Sequence, residues 1–95
     1  MSSLKVVRML SGEDVLCKVM DSNENDVTMD EAVVLVPTQN GQVQFVPYAP
    51  FVKSKQPVTV KQSMVVYIAD PADEFEDHHR KMFSGIVLAG AGALQ

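Results

Sequence analysis

The chain has 95 residues, enough for one domain with one core. Its formal net charge of −4 argues against nonspecific duplex binding through a globally basic surface. Its one cysteine excludes an internal disulfide and a cysteine-built zinc site, and no run approaches the ~20 apolar residues of a membrane span.

In chain order, Val6, Val7, Met9 and Leu10 form the first apolar run. Ser11-Gly12-Glu13-Asp14 reads as a tight turn, because Gly12 accepts positive φ and Ser and Asp hydrogen-bond locally. Val15, Cys17 and Val19 then alternate with Leu16, Lys18 and Met20, the period of a strand. Cys17 sits at an inward position and behaves as a small buried hydrophobe. A polar break from Asp21 to Asp26 precedes an extended β-branched run over 27–36. These segments predict a bent, three-stranded antiparallel meander around which the rest of the chain is organised.

Asn40-Gly41 predicts a type I′ hairpin turn with positive φ at both residues. Val43, Phe45, Pro47 and Tyr48 follow in a fourth run. Pro47 and Pro50 lack backbone donors, which puts that strand at an edge or bends it. Residues 51–57, with Lys53 and Lys55, read as an exposed loop. A fifth run over 58–69 is interrupted by Lys61-Gln62-Ser63, so it is one strand or two segments joined by a turn or bulge.

Asp70-Pro71 changes the period and predicts a helix over 70–85, with Asp70 as cap and Pro71 in first position. Asp73, Glu74 and Glu76 lie near the positive dipole end, Arg80 and Lys81 near the negative end. Phe75, His79, Met82 and Ile86 share a stripe with Phe83 beside it, and Gly85 is a natural stop. Docking is expected through Phe75, Met82 and Phe83. The tail, 86–95, is apolar and glycine-rich, either disordered or paired with a neighbour.

Acids occupy two blocks, 13–31 and 70–77, and none occurs over 33–69, where Lys53, Lys55 and Lys61 lie. That distribution allows a locally positive patch able to meet a flexible anion. It equally fits solvated lysines that edge a strand and discourage aggregation. The expected architecture is mainly β, a small, strongly bent five-stranded barrel over 4–69 with one C-terminal helix. Several strands are apolar on both faces, and one short helix covers only part of the outer one. Head-to-tail pairing of identical chains would bury the remainder, and closes into a ring where the rotation permits.

The opening stretch resembles the first motif of Sm and Sm-like proteins: an apolar strand, a glycine turn, a long bent strand and an Asp-x-apolar-Asn loop. Val7, Met9 and Leu10 match the first strand and Gly12 the turn. Cys17 falls where the family has Gly and Val19 where it has Leu. Asn23 lies near the family Asp, and Asn25 and Asp26 near the family Asn, with Val27 and Met29 on the next strand. The segment from Val60 to Ile68 looks like the second motif, Ile-Arg-Gly followed by a valine-rich strand. The resemblance covers roughly two thirds of the chain by pattern. It is closest in style to the compact Sm-like proteins of bacteriophage and marine metagenomic origin.

The resemblance implies an Sm-like homo-oligomeric ring, of roughly five to seven subunits, that binds single-stranded RNA or DNA without catalysis. Carried over, Asn23 and Asn25 would hydrogen-bond a base edge, Lys61 would contact phosphate, and Gln62 and Ser63 would add polar contacts. The departures are specific. The usual leading helix is missing, Lys61-Gln62 replaces Arg-Gly, and no aromatic side chain stands in the 23–25 loop. Glu24 and Asp26 repel phosphate, and a plain polar loop also accounts for the Asn cluster. The second functional class is a structural or adaptor ring using the same barrel for protein contacts, which the acidic balance favours.

Glu74 and His78, one helical turn apart, could in principle hold a metal, but adjacent His78 and His79 point about 100° apart. Cys17 has no visible activator, and no phosphate loop or hydrolase elbow occurs. No enzyme, cofactor or metal is expected. A cytoplasmic location, in a phage-infected or bacterial host cell, is expected: a reducing compartment suits the lone thiol, which decides little by itself, and the N-terminus does not read as a signal peptide.

Overall fold

The computed structural model describes residues 3–52 and 56–83. Its strands are β1 (Ser3–Met9), β2 (Asp14–Ser22), β3 (Asp26–Pro37), β4 (Val43–Pro47), β5 (Val58–Lys61) and β6 (Val65–Ala69), followed by helix α1 (Asp73–Phe83). The fold is thus mainly β, one antiparallel sheet of six strands. The expected fifth run is divided: a 3₁₀ turn, Gln62–Met64, separates β5 from β6. The pairing path runs β4-β3-β2-β1-β6, with β5 on β3 beside it. No pairing among the described residues joins the two ends, so the sheet is open. No described helix is long and apolar enough to cross a membrane.

The meander forms as its alternation dictates. Gly12 turns at φ 105°, its N–H donating to the Met9 carbonyl at 2.9 Å. Across this turn the Arg8 guanidinium forks onto Asp14 at 2.5 and 3.0 Å, locking the register of β1 against β2. Val7, Met9, Val15, Cys17, Val27 and Met29 form one buried cluster, with Val19, Ala32, Tyr48, Val60, Val65 and Ile68 packed around it.

Two register shifts bend β2 against β3. Leu16 pairs Val33 whereas Lys18 pairs Asp30, so β3 carries one extra residue, and Glu31 takes φ 52° there. A left-handed non-glycine costs roughly 1–2 kcal/mol, and nearby groups offset it. Asp30 Oδ1 accepts the Glu31 N–H at 3.0 Å, Lys18 Nζ stands 3.2 Å from Glu31 Oε1, and His79 Nε2 donates to the Glu31 carbonyl at 2.8 Å.

The 38–42 turn departs from type I′. Gly41 is left-handed at φ 81°, but Asn40 is not. Thr38 N–H bonds Gln42 O at 2.8 Å and Gly41 N–H bonds Thr38 O at 3.1 Å, a longer loop that needs one left-handed residue instead of two. β4 is an edge strand, as Pro47 requires.

The helix starts later than the expected 70–85 span, at Asp73, and is described to Phe83. Asp70 does not cap it: the carboxylate pairs with Lys5, and the Ala72 carbonyl accepts the N–H groups of Phe75 and Glu76 at 3.0 and 3.2 Å. By strand alternation Leu16, Val33 and Phe45 share the face opposite the core cluster, and α1 lies on it. Phe75 and His78 meet the Phe45 ring at centroid distances of 6.2 and 4.2 Å. The buried anchor is His79, 2% exposed and 4.5 Å from the Phe83 ring, whereas Met82 is 45% exposed. Docking therefore differs from the expected Phe75, Met82 and Phe83 set. A ring nitrogen can satisfy the bulge carbonyl, which a Met thioether cannot. Ile86, Gly85 and the 86–95 tail lie outside the described residues, as do Lys53 and Lys55.

Candidate nucleic-acid interface

The polar break between β2 and β3 closes on itself through Asn23. Its Oδ1 accepts the N–H groups of Asn25 and Asp26 at 2.8 and 2.9 Å, and its own N–H donates to the Asp26 carbonyl at 2.9 Å. A short amide side chain reaches its own backbone two and three residues on, which is why Asn suits such a loop. Its Nδ2 points toward Asp21 Oδ2 at 3.4 Å.

The 3₁₀ turn that follows β5 lies against this loop. Asp26 pairs with Lys61 in the β3–β5 register, and the Gln62 N–H donates to the Asn25 carbonyl at 2.9 Å. Thr28 and Thr59 hydroxyls bridge the same ladder at 2.9 Å. On its other side the turn is tied to the β1–β2 connection, where Leu10 N–H donates to the Met64 carbonyl at 2.7 Å. Asn25, Lys61, Gln62 and Ser63 therefore form one rim, although β3, β4 and β5 separate the two loops along the chain.

Their chemical states differ. Asn25 and Ser63 are exposed. Lys61 is 75% exposed, and its Nζ stands 3.5 Å from Asp26 Oδ1, a carboxylate that any other anion must share the ammonium with. Gln62 is half-buried and its Oε1 is buried without a hydrogen-bond partner. Asn23 differs from the expectation: its acceptor is committed to the loop backbone, leaving only its amide N–H₂ for another partner. Asp21, Glu24 and Asp26 share the loop with Asn23 and Asn25, so acids outnumber Lys61 at the rim.

Sequence reasoning missed Asp26 as the partner that neutralises Lys61. Opposite charges directly across a strand pair are the signal, but it is readable only once the register is known. It also missed Glu31, since nothing marks a glutamate for a left-handed bulge. Burial pushes the Cys17 thiol up to about 12, so it stays protonated, and no group of three metal-ligating side chains occurs among the described residues. Neither a protein-family profile nor any curated protein matches this chain.

Proposed function

We propose that this chain is the subunit of an Sm-like homo-oligomeric ring that contacts single-stranded nucleic acid, without catalysis, through Asn25, Lys61, Gln62 and Ser63. The observation that carries the reading is the Gln62-to-Asn25 backbone hydrogen bond, which joins the two loops into one polar rim. Asn23 serves that rim by shaping the loop, with its N–H₂ as the remaining contact.

The open sheet supports assembly. β4 and β6 end the pairing path, and both edges carry exposed apolar side chains: Val46 is 41%, Val66 57% and Tyr67 45% exposed. Pairing of β4 of one copy with β6 of the next would satisfy both edges and complete the barrel-like enclosure. A second reading, an adaptor ring for protein contacts, draws on the acids Asp21, Glu24 and Asp26 and on the ion pair that occupies Lys61.

Native mass measurement together with binding of labelled oligo-U and oligo-A at two salt concentrations tests the proposal. A defined multimer whose binding weakens with salt and is weaker still in Lys61→Ala is the expected result. A monomer removes the ring. A multimer that binds neither oligomer at low salt leaves the adaptor reading in its place.

A further inference from the structure

A cavity of about 820 Å³ opens where β4 leaves β3 and β5 has yet to join it. Met29, Ala32, Val33, Tyr48, Val52 and Val58 give it mostly apolar walls, and Met82 and Phe83 at the end of α1 stand on its rim. The backbone polar groups at its floor are largely engaged, whereas Glu31 Oε1 is buried without a hydrogen bond and has only the Lys18 ion pair. Tyr48 and Gln56 add a hydroxyl and an amide to the lining. Asp30 Oδ1 accepts the Glu31 N–H, the Glu31 carboxylate faces Lys18, the Glu31 carbonyl takes His79, and the Ala32 carbonyl takes the Tyr48 N–H at 3.1 Å. Apolar side chains make up most of the lining, so an uncharged aliphatic occupant fits better than a charged ligand.

We propose that residues 84–95, led by Ile86-Val87-Leu88, seat in this cavity of their own chain. The segment reads SGIVLAGAGALQ and carries no charged side chain. It leaves the described structure at Phe83, which itself lines the cavity. Three Cα steps, at most ~11 Å, carry the chain from Phe83 to Ile86, with Gly85 suited to turn it. So short a tether holds the aliphatic triplet at an effective concentration in the millimolar range, which favours it over the same segment of another molecule. Seating it would also cover Met82, which α1 leaves 45% exposed. The cavity borders none of Asn25, Lys61, Gln62 and Ser63, so this seating is independent of the nucleic-acid reading.

The test uses the full chain with Ala91→Cys carrying a nitroxide label; Cys17 is fully buried and does not compete for it. Amide signals of Tyr48, Val52 and Val58 should lose intensity relative to the same labelled chain with Ile86→Asp and Leu88→Asp, and the loss should not change on dilution. Both aspartates lie outside the described sheet and helix, so the control keeps the fold, which its remaining amide spectrum verifies. Equal intensities in the two chains overturn the proposal. So does attenuation seen only when ¹⁵N-labelled chains are mixed with spin-labelled unlabelled ones, because that places the segment on a second copy.

Discussion

Under the proposed single-strand reading, neutralising Asp26 should tighten nucleic-acid binding, and the size of the gain would report how many copies act together. In the native rim Asp26 Oδ1 stands 3.5 Å from Lys61 Nζ, and the two side chains are 38% and 75% exposed. An exposed pair of this kind contributes at most about 0.5 kcal/mol to folding, so Asp26→Asn should lower the Tm by no more than about 2–4 °C. Its effect on a bound phosphate is larger in sum. A carboxylate about 7 Å from a phosphate repels it by about 0.6 kcal/mol in water. Screening with a Debye length of about 8 Å reduces this to about 0.25 kcal/mol per subunit. One subunit acting alone would gain less than about twofold, whereas roughly six subunits threaded by one strand would gain about 1.5 kcal/mol, close to tenfold. Fluorescence anisotropy with labelled oligo-U at 0.15 M salt reads the difference, with Lys61→Ala as the opposing variant. Lys61→Ala should weaken binding and flatten the log–log salt slope by about 0.7 for each phosphate that is no longer neutralised. Unchanged affinity in both variants, or a shift of the same sign in both, would refute the electrostatic reasoning.

Three further outcomes follow from the fold. Leu16→Ala removes a fully buried side chain from beneath α1 and should cost about 2–5 kcal/mol by urea denaturation; a decrease under about 1 kcal/mol would mean that face is not packed. His79→Ala orphans the carbonyl of a left-handed residue and removes the buried anchor of α1, so stability should fall by about 2–3 kcal/mol, with amide exchange in 73–83 accelerated more than in β2. The Cys17 thiol, held protonated to about 12 in the folded chain against 9.0 when exposed, favours the folded state fully below about pH 9. Between about pH 9 and 12 ionisation of the unfolded thiol withdraws that stability by up to about 1.4 kcal/mol per pH unit, and Cys17→Ala should remove this part of the slope. Alkylation of native protein at pH 8 should be slow and limited by unfolding; rapid alkylation would contradict the burial.

How much of this was legible beforehand differs from element to element. Alternation in 15–20, the turn glycine at Gly12 and the prolines of 47–50 are local signals, and they predicted strands, turn and edge where these stand. The Asn23 loop was located but its use was not. An Asx side chain advertises both a base contact and a local turn, and only the geometry shows its oxygen spent on Asn25 and Asp26. The 58–69 run held a polar interruption whose meaning depended on two remote neighbours, the carbonyl of Asn25 and the N–H of Leu10, which together hold the 3₁₀ turn. In the helix, period picked the right stripe but ranked its members by hydrophobicity. The anchor became His79 because a bulge carbonyl needed a donor there.

The residue pattern by itself settled what is periodic or local: extended segments, the turn at Gly12, the inward position of Cys17 and one amphipathic helix. Tertiary structure alone decided what depends on pairing across the chain. It chose the register that sets Asp26 opposite Lys61, the extra residue that drives Glu31 left-handed, and the approach of the 62–64 turn to the 23–25 loop. The physical reason is range. Steric preference and hydrophobic period act over a few neighbouring residues, whereas charge pairing, bulges and orphaned carbonyls are resolved by whichever distant groups the packed sheet brings within reach.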